Sequence, residues 1–161
     1  MPIKFDVRQA IENDVNDIAR LFRKHCEYNA EEGWNSNYDL DWPLSEEGKT
    51  FTKEFLTTDD HIAFVAFNEN SEIVGYLLGL MTSFAHRVDN PVGVIDNLYI
   101  DYGYRCSGIG SALMEDFHFW AKDKGAKRIK VETFFGNQHA RNIYEKEGYV
   151  ENSVIYEIPI D

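Results

Sequence analysis

Residues 94–111, VIDNLYIDYGYRCSGIGS, pass from a strand-like stretch through a short loop into a glycine-punctuated turn that opens a helix. A strand that feeds a helix start gathers several free N–H groups and the positive end of the helix dipole, which together form an anion site. Arg105, Gly108 and Gly110 give the local pattern Arg-x-x-Gly-x-Gly. That pattern is short, so its meaning depends on what surrounds it.

Upstream, Ile3, Phe5 and Val7 alternate with polar residues, which predicts a strand over residues 3–9. Asn13 or Asp14 offers an N-cap. Val15, Ile18, Ala19, Leu21, Phe22 and Cys26 then recur at helical spacing, so a helix is expected over residues 14–28. His25 and Cys26 read as ordinary residues of that helix. Ser45, Glu46 and Glu47 cap a second helix reaching residue 58. Residues 62–67 and 72–82 form a hairpin about the turn NENS, and Gly75 and Gly79 inside it predict bulges or close backbone approach. A third strand covers 92–100. Ile109, Ala112, Leu113, Phe117, Trp120 and Ala121 share one face of a helix over 109–124 that Gly125 ends. Residues 128–134 read as a strand. Asn137 caps a short helix carrying Ala140, Ile143 and Tyr144, and Gly148 closes it. The last strands are expected at 149–150 and 154–160, with Pro159 marking an end or edge. The order β-α-α-β-β-β-α-β-α-β-β describes one mixed α/β domain over residues 1–161.

Composition narrows the function. With 43% hydrophobic and 14% aromatic residues the chain is expected to fold around a core, and no run of apolar residues is long enough to span a membrane. The N-terminus lacks the apolar segment of a signal peptide. Cys26 and Cys106 are the two cysteines and have no metal-ligand spacing, and the histidines are scattered, so no metal is expected and a reducing cytoplasm is the plain reading. The net charge of −12, from 28 acidic and 16 basic residues, argues against nucleic acid and anionic membranes as partners. It suits a cationic partner, or simply solubility. Residues 27–48 carry Glu27, Glu31, Glu32, Asp39, Asp41, Glu46 and Glu47 without a Lys or Arg, interleaved with Tyr28, Trp34, Tyr38 and Trp42. Two readings stay open. The stretch recognises an amine through ion pairs and ring faces, with Tyr28, Glu31, Trp34 and Tyr38 as candidates, or it is a solvated loop whose aromatics cap the core.

The element order, Arg105-Cys-Ser-Gly-Ile-Gly110 at the head of the long helix, and Asn137-x-x-Ala140-x-x-x-Tyr144-x-x-x-Gly148-Tyr149 after the next strand together resemble the GNAT superfamily of acyl-CoA-dependent N-acyltransferases. The resemblance spans nearly the whole chain. It implies a mostly antiparallel sheet of about seven strands, splayed in a V between two parallel strands and flanked by about four helices. It also implies acetyl-CoA as co-substrate and an amine as acceptor. The backbone of Arg105, Cys106, Ser107, Gly108, Ile109, Gly110 and Ser111 is expected to bind phosphates; the Arg105 side chain can add to the anion field, although in the family this residue often contributes by its backbone. The main chain of Leu98, Tyr99 and Ile100 is expected to pair with the pantetheine arm, and an N–H near Leu98 to support the oxyanion. Asn137 matches the family's pantetheine or water ligand. Tyr144 matches the general acid for the thiolate. Asp96 matches a carboxylate base acting through water, with Glu132 as a second candidate. Dimers are common in the family. The residues leave other readings open: acetylation of protein N-termini or lysines, or a module that binds CoA without catalysis. Residues 27–48 and 83–91 are expected to build the acceptor pocket.

Overall fold

The computed structural model describes residues 1–160. Five strands form one sheet in the order β1-β2-β3-β4-β5. They are β1 (Phe5–Gln9), β2 (His61–Asn68), β3 (Ile73–Thr82), β4 (Val92–Ile100) and β5 (Arg128–Val131). All neighbours are antiparallel except β4 and β5, which run parallel. Four α-helices accompany them: α1 (Val15–Glu31), α2 (Glu46–Thr57), α3 (Ile109–Asp123) and α4 (Gln138–Lys146).

The hairpin of β2 and β3 is the centre of the sheet and is buried almost throughout, which is why both strands read as near-continuous apolar runs. Asn68 shapes the turn between them: its Oδ1 accepts from the N–H groups of Asn70 (2.9 Å) and Glu72 (3.0 Å). One face of the sheet packs Val65, Tyr76 and Leu78 against Ile18, Leu21 and Phe55 of α1 and α2. The other packs Phe64, Leu77 and Ile95 against Ile109, Leu113, Met114 and Phe117 of α3. Phe117 sits directly over Gly79, where a Cβ would fall 2.2 Å from the ring. The glycine in the strand is therefore a docking place for the helix.

Several expectations change. Among the described residues the sheet has five strands, not seven, because residues 149–150 and 154–160 join no strand ladder. Their alternation suits a strand, but a strand forms only beside a hydrogen-bonding partner. β5 stops at Val131 instead of 134, since β4 bends away there. Helix α1 continues to Glu31, so residues 27–31 are helical. Asp14 stands at its N-cap but makes no capping bond: its carboxylate accepts from Arg8 (2.6 and 3.0 Å) and from the Ile11 N–H (2.8 Å). Ser45 does cap α2, accepting from the Gly48 N–H at 3.1 Å.

Candidate active site

Strand β4 makes the site by leaving its parallel neighbour. Pairing with β5 runs from Val92 to Ile95 and ends there. In the same place the register with β3 shifts: Leu78 faces Asn97 and Gly79 faces Ile95, so Asp96 is the extra residue of a bulge. Beyond it, Asn97 to Ile100 stay paired with β3 only. Their other edge is open, as the expected V requires. A cleft lies in the opening, lined by His25, Tyr28, Leu98, Tyr99, Ile100, Arg105, Gly110, Asn137, His139, Ala140, Ile143 and Tyr144.

At one end of the cleft the chain turns into α3. Cys106 has φ +59° and Gly108 φ +90°, so left-handed residues alternate with Ser107 between them. Such alternation turns successive N–H groups to one side. Among the described residues, the N–H groups from Cys106 to Ser111 have no protein acceptor. These six donors without acceptors sit together at the head of a fifteen-residue helix. Ser107 donates its hydroxyl to Tyr104 O, and Ser111 donates to Glu147 at the end of α4. Ile109 contributes only backbone, because its side chain is buried in the core.

The Arg105 side chain is engaged by its own chain. Its guanidinium lies over the rings of Tyr28 (4.3 Å), Tyr99 (5.4 Å) and Tyr102 (5.5 Å), and its Nε donates to Ile100 O at 3.1 Å. The side chain clamps the loop to β4 and α1. Lys24 of α1 holds the same loop through Asp101 (2.8 Å).

Tyr144 reaches the cleft from α4, whose N-cap Asn137 accepts from the Ala140 N–H at 3.1 Å. That bond occupies Asn137 Oδ1 and leaves Nδ2 to donate. Desolvation pushes the Tyr144 phenol up to about 12. The hydroxyl therefore stays protonated through neutral pH, and it has no hydrogen-bond partner among the described residues. Tyr149 packs edge-on against Tyr144 (5.8 Å) and bonds His118 Nε2 at 2.6 Å.

From the other side α1 contributes His25, read from the sequence as an ordinary helix residue. Its ring stacks on Tyr99 (5.3 Å), and Nδ1 lies 2.8 Å from Asn97 Oδ1. Tyr76 donates to the same oxygen at 2.8 Å. Desolvation lowers the His25 pKa, the Asn97 bond opposes that, and the charge of Arg105 lowers it further. The signal available in sequence was the spacing of His25 and Tyr28, which puts both on one helix face. Asn97 and His139 were likewise not foreseen.

The other predicted residues divide. Asp96 does not line the cleft. Desolvation nonetheless raises its carboxyl pKa, with the charge of His61 pulling it back. Glu132 pairs with Lys130 at 3.1 Å. Trp34 packs edge-on against Tyr28 (5.5 Å) and stacks on Phe134 (6.2 Å), bordering the cleft from behind its first layer. Glu31 is exposed at the end of α1. Tyr38 OH is 3.5 Å from Asn29 Nδ2. Trp42 is partly buried and packs against Phe22 and Phe51. Two of the acidic residues in this stretch are paired with Arg23 of α1, Glu27 at 2.9 Å and Asp41 at 3.3 Å, so its negative field is weaker than the sequence suggests. No residue of 83–91 lines the cleft: Asp89, paired within the loop with Arg87 (2.7 Å), ties the loop to Arg128 of β5 (2.9 Å) at the closed end of the V. Among the described residues no cluster of three or more His, Cys, Asp or Glu is arranged for a metal ion.

A splayed parallel strand pair, a backbone anion cradle beside it and a protonated tyrosine in the same cleft define an acyl-CoA-dependent acyltransferase. The chain matches the model of the Acetyltransferase (GNAT) family over residues 19–149 and belongs to that family. It is 26% identical over 148 residues to the N-acetyltransferase YhfO of Bacillus subtilis, covering 92% of this chain and 91% of that one. Its fold is shared with a mutant of the BH1408 protein of Bacillus halodurans (TM-score 0.84, 18% identity, 96% of this chain and 99% of that chain). It is shared too with AAC(6')-Iy in complex with the bisubstrate analog CoA-S-monomethyl-acetylneamine (TM-score 0.75, 17% identity, 98% and 99% of the two chains). The protein is an N-acetyltransferase that takes its acetyl group from acetyl-CoA and transfers it to an amine.

Proposed function

We propose that the acceptor is a small cationic amine, with polyamines as the leading class, and that it attacks directly while both substrates are bound. One observation carries this reading. The cleft is bordered by Gly110, Asn137 and Tyr144 on the α3/α4 side and by His25 and Tyr28 on the α1 side, so two ligands can approach the open edge of β4 from opposite faces. Bound acetyl-CoA supplies the activated thioester carbonyl. The N–H groups of Cys106, Ser107, Gly108, Ile109, Gly110 and Ser111 would hold its phosphates. The open edge at Leu98, Tyr99 and Ile100 would pair with the pantetheine amides as an added strand does, with Asn137 donating beside it. The Leu98 N–H would support the carbonyl oxygen as charge develops on it. Tyr144 delivers its proton to the departing sulfur.

A protonated amine must lose a proton before it attacks. Asp96 accepts it through an ordered water in this reading, and its desolvated carboxyl has the raised proton affinity that the task needs. His25 is a second candidate, favoured because it lines the cleft itself. Tyr28, which lines the cleft, and Trp34, packed edge-on behind it, form an aromatic wall for a cationic acceptor, Glu31 offers an exposed carboxylate, and Tyr38 follows in the loop after α1. The likeness to AAC(6')-Iy, an aminoglycoside N-acetyltransferase, supports a polycationic amine in general. We also place the enzyme in the reducing cytoplasm, on the strength of its free Cys26 and Cys106, away from nucleic acid and membrane surfaces, as a homodimer.

The test is thiol release from acetyl-CoA across polyamines, aminoglycosides, amino acids and peptides. Polyamines are expected to give the highest kcat/KM. Faster turnover of peptide N-termini or lysine side chains would establish protein acetylation in its place.

A further inference from the structure

Helix α4 carries Tyr144, yet none of its residues is buried, whereas α3 sinks Ile109, Leu113, Met114, Phe117 and Ala121 into the core. Among the described residues the Tyr144 hydroxyl makes no hydrogen bond of its own. Apolar depth alone does not hold that phenol at one angle. The angle matters, because a reacting group misplaced by about 1 Å loses on the order of 100-fold in rate.

Two side-chain bridges run from α3 to the end of α4. Ser111, in the first turn of α3, donates to Glu147. Further along the same face of α3, His118 Nε2 lies 2.6 Å from the Tyr149 hydroxyl, and the two rings are 5.7 Å apart. Gly148, with φ +91°, turns the chain back on the helix, and the Tyr149 N–H donates to Tyr144 O at 2.9 Å. The Tyr149 ring then stands edge-on to Tyr144, with 5.8 Å between centroids and 61° between planes. Tyr144 is thus flanked by a ring whose own hydroxyl is tied to a helix embedded in the core. Desolvation lowers the His118 pKa, with Glu147 and Glu115 pulling it back. Desolvation also raises the Tyr149 phenol, helped by the charges of Tyr144 and Glu147. Both groups are neutral at neutral pH, so the phenol donates, Nε2 accepts and the imidazole hydrogen sits on Nδ1.

We propose that His118 is a positioning residue for the acid: by binding the Tyr149 hydroxyl it fixes the Tyr149 ring, and that ring fixes the direction of the Tyr144 phenol toward the departing sulfur. The proposal rests on Tyr144 as the proton donor put forward above. Neither His118 nor Tyr149 lines the cleft, so both act through Tyr144. A phenyl ring at position 149 fills nearly the same space as the phenol. What the hydroxyl adds is a fixed ring plane, not packing.

Thiol release from acetyl-CoA tests this, with whichever amine of the panel reacts fastest. Tyr149→Phe in the full chain is expected to lower kcat about tenfold, with both KM values within a factor of about two. In the Tyr144→Phe background the same change is expected to lower kcat by less than about twofold, because no proton donor is left to aim. His118→Leu is expected to match Tyr149→Phe. His118→Gln, whose amide oxygen can accept from Tyr149, is expected to restore most of the rate. The His118 pair gives the same answer should Tyr149→Phe fold poorly. A loss of equal size in both backgrounds, a loss confined to KM, or no loss at all overturns the positioning role. So does a His118→Gln enzyme as slow as His118→Leu. Full activity in Tyr144→Phe overturns the acid itself, and that single variant tells the two failures apart.

Discussion

His25 Nδ1 lies 2.8 Å from Asn97 Oδ1, an oxygen that also accepts from the Tyr76 hydroxyl at 2.8 Å. An amide oxygen only accepts, so this contact assigns the imidazole hydrogen to Nδ1 and leaves Nε2 with a lone pair. Tyr76 is fully buried and anchors the arrangement in the sheet. A helix residue and a strand residue thus fix the tautomer of an imidazole in the cleft.

Replacing His25 by Gln is expected to lower kcat by about 100-fold if His25 takes the amine proton. Because desolvation lowers the His25 pKa, the neutral, active form persists below the ordinary histidine value, and the rate falls only as pH drops through the depressed pKa. A pH profile of kcat/KM in both His25→Gln and Asp96→Asn separates the two candidates. The acid limb disappears in the variant that removes the base. An unchanged limb in His25→Gln assigns the role to Asp96.

Tyr144→Phe is expected to reduce kcat by about 100-fold while the Kd for CoA stays within a factor of about two, since proton donation is lost and backbone binding is not. In the unaltered enzyme the phenol is pushed up to about 12, so turnover should show no basic limb from this group near the ordinary tyrosine value. Isothermal titration with CoA and steady-state kinetics measure both. Full activity in the Phe variant would remove Tyr144 from the chemistry.

Gly108→Ala isolates the backbone of the anion cradle. The added Cβ meets nothing within 4 Å, so the cost is conformational: φ is +90° there, which costs a non-glycine residue about 1–2 kcal/mol. A fall of a few degrees in Tm and about tenfold weaker CoA binding are expected. Equal losses from Gly103→Ala, outside the cradle, would contradict the assignment.

Asp14 and Arg8 tie α1 to β1, and their pair predicts an acid-sensitive stability. Desolvation is the largest influence on Asp14 and raises its pKa. The Arg8 hydrogen bond, the Ile11 N–H and the Arg8 charge outweigh it, and the folded-state pKa ends below the ordinary value. The stabilisation is therefore complete above the ordinary carboxylate pKa and is lost as pH falls through the depressed one. Asp14→Asn is expected to cost about 2 kcal/mol at neutral pH and less at acid pH, read from urea unfolding at both.

Much of the fold was legible locally. Helices α2, α3 and α4 begin and end within a residue or two of where caps, glycines and apolar spacing put them. The β2/β3 hairpin follows from Asn68 and its turn. Both signals are carried by neighbours in sequence. The glycine-punctuated turn into α3 was legible for the same reason, since Gly108 and the helix head lie in one stretch. The site beyond it was legible in part: Tyr28, Leu98, Tyr99, Ile100, Asn137 and Tyr144 were expected from the sequence and line the cleft, whereas His25 and His139 were not. His25 and Tyr144 meet only because β4 leaves β5 at Asp96, and no local pattern says which edge of a strand stays open.

The sequence by itself determined the four helices, the first five strands and their order, together with the glycine turn that opens α3, because short-range sterics and periodicity encode them. Tertiary structure decided the rest. It turned the Arg105 side chain from the phosphates to the rings of Tyr28, Tyr99 and Tyr102, and neutralised part of the acidic stretch through Arg23. It brought His25 to Asn97, and left residues 154–160 without a partner strand in their own chain. Each of these depends on which surfaces come together across the chain, and a strand or a cation acquires its role only from what it finally packs against.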